Sequence, residues 1–216
     1  MLFNIIKKNR VWFAAERNGY KCKILIDENS EHLTLGEHNL IVEDISVYTD
    51  HGVTLRFKLS LDAKIQTNAG SCTLKHFAYN SEFVKRCKAI NGEWDGEDKI
   101  WRFSGLVRDK VDEIDALFNS PLYTVEIKWY ANKYLDTGYF CLFGYSLFFL
   151  KSRRSLPVFC DGVELIDGEI GKDSFKAVRI ADGATIRMQI PRGVYSSMLE
   201  YVLDNYCVTV KRISND

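Results

Sequence analysis

Apolar and polar residues alternate along much of the first quarter of the chain. From Lys21 to Asp27 and again from Val53 to Leu59 every second side chain is apolar, and Leu40 to Tyr48 is rich in β-branched residues. A period of two places alternate side chains on one face of an extended backbone, so 11–60 is predicted to be mainly strand. Turn-forming residues punctuate it at Arg17-Asn18-Gly19, Asp27-Glu28-Asn29-Ser30 and Asp50-His51-Gly52. These are hairpin signals, because asparagine, aspartate and glycine tolerate the backbone angles that tight turns require. The expectation is a small antiparallel sheet, half of a sandwich or barrel.

A polar run, Gln66-Thr67-Asn68-Ala69-Gly70-Ser71, marks a boundary, and a strand is expected around Cys72 to Phe77. The period then changes. Phe83, Val84, Cys87 and Ile90 recur at helical spacing behind Asn80 or Ser81 as N-cap, and Asn91-Gly92 supplies a left-handed stop. Trp94 and Trp101 flank Asp95-Gly96-Glu97-Asp98, which predicts a hairpin. A second helix is expected over about 106–118, with Leu106, Val107, Val111, Ile114, Leu117 and Phe118 on one side and Pro121 beyond its end.

Aromatic residues crowd strand-like runs from Leu122 to Phe159. Short strands are expected at 158–160, 174–180 and 184–190, then a helix over 195–206 and a closing strand over 207–212. The fold class expected is therefore α+β, β-rich, with antiparallel sheets and about three helices. Three regions are expected: 1–68 as an N-terminal antiparallel β region, 69–120 as a helix-hairpin-helix module, and 121–216 as an aromatic-rich β region with a late helix.

With 216 residues, 46% of them hydrophobic, the chain has enough apolar material for a real core. Lys plus Arg and Asp plus Glu both total 29, so no net field draws it to nucleic acid or an anionic membrane. Six cysteines occur singly with no Cys-x-x-Cys pair, which reads as reduced, mostly buried thiols. The N-terminal order of apolar and charged residues does not match a signal peptide, and the apolar run 147–150 is far too short to span a bilayer. A cytoplasmic protein without membrane attachment is expected.

The 79–103 segment carries the most specific pattern: Tyr79, Glu82, Lys88, Gly92, Trp94, Asp95, Lys99, Trp101 and Phe103. Over about 73–118 it resembles the HARP domain of eukaryotic annealing helicases and related modules of bacterial plasmid and phage proteins. It is one residue shorter than the HARP pattern between Lys88 and Asp95, and no helicase motor accompanies it. The resemblance implies a bacteriophage or plasmid accessory protein. Two readings of the motif stand side by side. In one, Tyr79, Trp94, Asp95, Trp101 and Phe103 mark a fold, the tryptophans packing the hairpin on the helix while Asp95 caps the turn. In the other, Lys85, Arg86, Lys88, Lys99 and Arg102 contact phosphates or a partner, with an exposed ring to stack on a base. Glu93, Glu97 and Asp98 oppose contact with DNA and suit a protein partner better.

Lys151, Arg153 and Arg154 follow the aromatic run and form a second basic candidate. His32, His38, His51 and His76 are too scattered to propose a metal site, and no cofactor motif is present. There is no nucleophile elbow and no phosphate loop, and the acidic turn of Asp161, Glu164, Asp167 and Glu169 is not a placed carboxylate pair. A non-enzyme is expected: an anti-defence type inhibitor that binds and blocks a host protein complex acting on nucleic acid. Direct binding of DNA or RNA and a structural role in a phage particle are the alternatives.

Overall fold

Alternation in the first strands becomes a one-sided sheet. In the computed structural model, which describes residues 1–50, 52–135, 139–152, 155–173 and 178–213, the order is β1 (Leu2–Lys8), β2 (Trp12–Arg17), β3 (Tyr20–Leu25), β4 (Gly36–Asn39), β5 (Val42–Asp44), β6 (Val47–Thr49), β7 (Gly52–Thr54), β8 (Arg56–Leu59), α1 (Ala63–Asn68) and β9 (Ser71–Leu74). The middle follows with α2 (Ser81–Ala89), β10 (Glu93–Asp95), β11 (Ile100–Ser104), a 3-10 turn at Gly105–Val107 and α3 (Arg108–Phe118). Then come β12 (Leu122–Trp129), β13 (Lys133–Leu135), β14 (Tyr139–Leu142), β15 (Tyr145–Leu150), β16 (Pro157–Phe159), β17 (Val163–Asp167), β18 (Ile170–Lys172), β19 (Val178–Ile180), β20 (Thr185–Pro191), α4 (Arg192–Asn205) and β21 (Val208–Ile213). The chain is α+β and β-rich, as its periodicity predicts.

Two compact units share the chain discontinuously: residues 1–75 with 86–113, and 76–85 with 114–216. The 69–120 segment is thus divided between them, and the divisions fall inside α2 and α3.

In the first unit a six-stranded sheet runs β4-β1-β2-β3-β8-β5. Every second residue of β1, β2, β3 and β8 faces one core, which buries Phe3, Ile5, Phe13, Cys22, Ile24 and Phe57. Burying each such phenylalanine or isoleucine contributes about 1.5–3 kcal/mol, and this sets the strand register, since a one-residue slip would turn the set to water. The β2–β3 turn is Asn18-Gly19, with φ of 49° and 77°. Two positive-φ residues give the twist that closes a tight hairpin. One pair departs from the expected antiparallel order: β3 and β8 run parallel, with Lys23 opposite Arg56.

The polar 66–71 run is not simply a linker. Asp62 caps α1 by accepting from the Lys64 amide at 2.7 Å, and Gln66 is buried. The Gln66 amide accepts from the Ile41 N–H and donates to the Leu61 carbonyl. A second, three-stranded sheet in this unit has the order β10-β11-β9.

In the second unit β17-β20-β12-β21 form an antiparallel sheet, on which Val125 lies opposite Met188 and Ile127 opposite Ile186. Helix α4 packs on it and buries Val194 and Val202. The aromatic run supplies much of this core: Trp129, Phe140, Phe143, Tyr145 and Phe148 are buried, while Tyr130, Tyr134, Tyr139 and Phe149 are exposed. Two further three-stranded sheets, β13-β19-β18 and β14-β15-β16, complete the unit.

Candidate functional site

Asn80 is the N-cap of α2. Its Oδ1 accepts from the Glu82 and Phe83 amides at 3.0 and 3.1 Å, and its Nδ2 donates to the Phe143 carbonyl at 2.9 Å. Gly144, at φ +79°, makes the approach possible: a Cβ there would lie 2.3 Å from Asn80 Oδ1. At the other end Asn91 takes the left-handed conformation, φ 60°, and the Gly92 amide returns to the Cys87 carbonyl at 2.8 Å. Position 92 must be glycine for space, because a Cβ would lie 2.4 Å from the Phe103 ring.

The expected hairpin follows. Trp94 lies opposite Trp101 across β10 and β11, with ring centroids 5.8 Å apart. Asp95 holds the turn by accepting from the Glu97 and Asp98 amides. Trp101 and Phe103 are buried, whereas Trp94 is 54% exposed and Tyr79 72% exposed. The motif therefore splits: two of its aromatics build the fold and two face solvent.

Its cations divide as well. Arg102 donates to Asp95 at 2.8 Å and to Asp98 at 2.6 Å. That guanidinium, with help from the Asp98 amide, holds the Asp95 carboxyl below its usual range. Lys85 lies 3.8 Å from Glu82 one turn earlier on α2. Arg86, Lys88 and Lys99 are exposed, Lys99 with φ 54° as the last residue of the turn. Lys85 and Lys151 belong to the second unit, and Arg86, Lys88, Lys99 and Arg102 to the first. Lys151 is exposed at the end of β15. Arg153 and Arg154 lie outside the described residues, as does His51.

Two adjoining clefts in the first unit meet at Trp94. The larger, about 820 Å³, has Glu37, His38, Trp94, Asp95, Glu97 and Arg102 in its wall. The smaller, about 410 Å³, has Arg17, Lys88, Asn91, Trp94 and Trp101. Glu93 borders both; it accepts from Arg17 Nε at 3.2 Å and from the Leu2 amide. Glu37 and Arg17 carry no signal in the sequence, since they lie 56 and 76 positions before Glu93 and meet it only in the folded unit.

In the second unit His76 sits among rings. Its Nδ1 is 2.9 Å from Asn119 Oδ1 and its Nε2 is 3.0 Å from the Tyr145 hydroxyl, with Phe83 5.1 Å away. Burial lowers the His76 pKa, against the opposing Asn119 bond, and burial pushes the Tyr145 hydroxyl up to about 12. Both ring nitrogens are thus held by neutral partners, an arrangement suited to joining elements rather than to activating a nucleophile.

Among the described residues no group of three or more histidine, cysteine, aspartate and glutamate side chains is placed to hold a metal ion. No helix among them is long and apolar enough to cross a membrane. All six cysteines are free thiols, Cys22, Cys72 and Cys87 buried and Cys207 exposed. Comparison with protein-family models, with curated proteins and with solved structures returned no match to this chain.

Proposed function

We propose that the chain is a non-enzymatic accessory protein of a phage or plasmid that binds a host protein complex acting on nucleic acid and blocks it by occupying its surface. The carrying observation is the state of the motif around Trp94. Its arginine is committed to Asp95 and Asp98, while the half-exposed indole stands over a cleft whose wall also carries Glu37 and Glu97. A polyanion entering that cleft would meet carboxylates; a protein surface with basic and apolar groups would meet complementary chemistry. The phage or plasmid origin rests on the resemblance of the 73–118 segment to HARP-type modules.

The smaller cleft supports a second reading, direct binding of DNA or RNA, because exposed Lys88 and the half-exposed Trp94 indole stand there, with Arg17 paired to Glu93 beside them. Affinity capture from nuclease-treated host lysate separates the two. A specific host protein retained after nuclease treatment supports the first. Capture of nothing, together with a shift of DNA at physiological salt by the pure chain, overturns it.

A further inference from the structure

We infer that the 820 Å³ cleft of the first unit is a groove for an extended, arginine- or lysine-bearing segment of a partner protein. The assignment rests on the protein-binding reading above and specifies the partner's chemistry. Residues of two terminal strands line the cleft: Glu37, His38 and Asn39 of β4, which ends the six-stranded sheet, and Glu93, Trp94 and Asp95 of β10, which ends the three-stranded sheet. A terminal strand keeps a row of backbone N–H and C=O groups without a strand partner, and an extended chain can pair with such a row.

Charge selects which segment. Arg102 is the one lysine or arginine among the described wall residues, and Asp95 and Asp98 already hold it. Glu93 is held by Arg17. Glu37 and Glu97 are both exposed, and among the described residues neither makes an ion pair, so the cleft presents unbalanced negative charge. Trp94 adds a ring face of the kind that attracts a guanidinium or ammonium group. A phosphate backbone would gain nothing from this wall and would be repelled by it.

The test is titration of the full chain, by tryptophan fluorescence and calorimetry, with a blocked octapeptide of alternating arginine and threonine. An octapeptide of alternating glutamate and threonine and an eight-nucleotide oligothymidine serve as controls. The basic peptide is expected to bind, more weakly as salt rises, and the controls not to bind. Joint reversal, Glu37→Lys with Glu97→Lys, and separately Trp94→Ala, should each raise the Kd by on the order of tenfold. Glu164→Lys, an exposed carboxylate of the second unit, should leave it unchanged. Amide chemical-shift mapping on the unmutated chain gives a readout independent of any variant's folding, and shifts centred on Glu37 and Trp94 are expected. Failure of the basic peptide to bind, equal binding by the reversed variant, tighter binding of oligothymidine, or shifts centred elsewhere would each overturn the groove. If the reversed variant still captures the same host protein as the unmutated chain, the groove fails and the binding function stands. If the peptide binds as expected but no host protein is captured, the function fails and the groove stands.

Discussion

Replacing Asn80 with alanine removes three hydrogen bonds from a fully buried side chain. Loss of an N-cap acceptor costs about 1 kcal/mol, within a range of roughly 0.5–2. Loss of the Nδ2 donor leaves the Phe143 carbonyl without that bond in a buried setting, which costs a further 1–3 kcal/mol or about that. Asn80→Ala should therefore lower the free energy of unfolding by roughly 2–4 kcal/mol, measured by urea titration with circular dichroism. Asn80→Ser separates the two contributions. A serine hydroxyl can cap the helix but is too short to replace the amide's reach to Phe143, so it should recover about 1 kcal/mol. A loss below about 1 kcal/mol for Asn80→Ala, or a serine variant no better than the alanine one, would refute the account of Asn80 as cap and tie together.

Three other expectations follow from the same geometry. Trp101→Ala, at a position only 5% exposed, should cost about 3–5 kcal/mol, whereas Trp94→Ala, at 54% exposed, should cost less than about 1.5, both read from urea unfolding. Burial pushes the Cys87 thiol up to about 12 and the Cys22 thiol up to about 11, so both stay protonated at pH 8. Iodoacetamide should label exposed Cys207 first and these two only on unfolding, as followed by mass spectrometry. His76 has its folded pKa lowered below the ordinary 6.5 by burial, so the unfolded chain takes up the proton first. Stability from this group is present above about pH 6.5 and is lost as pH falls through that value toward the folded pKa. His76→Gln should flatten the decline in unfolding free energy between pH 7 and 5, and an unchanged slope would contradict the assignment.

Much of the local structure is legible in the residue order because it depends on neighbours in the chain. Asn80, Asn91 and Gly92 delimit α2, and Asn18-Gly19 and the 95–98 run close hairpins, since capping and positive φ are local requirements. Strands β3 and β8 follow from the alternation over 21–27 and 53–59, which states that one face is buried without stating against what, whereas β1 at Leu2–Lys8 lies outside the 11–60 region that the pattern marks as strand. Short elements escape this reading. Helix α1 lies partly in a run whose polarity suggests solvent, yet Gln66 is buried because its amide finds backbone groups of residues 41 and 61. The parallel β3–β8 pair escapes it too, because strand direction within a sheet is set by the path of the intervening chain.

The candidate site divides along the same line. The hairpin, its two tryptophans across from one another and Asp95 at the turn are readable in the residue order, because all three depend on a few adjacent residues. The burial of Trp101, the placing of Trp94 over a cleft, the commitment of Arg102 to two aspartates and the presence of Glu37 in the wall come from the packed fold. Burial and charge pairing are sums over residues distant in the chain, and 37, 66 and 94, which lie on a strand of one sheet, a helix and a strand of another sheet, line one cleft only in the folded unit.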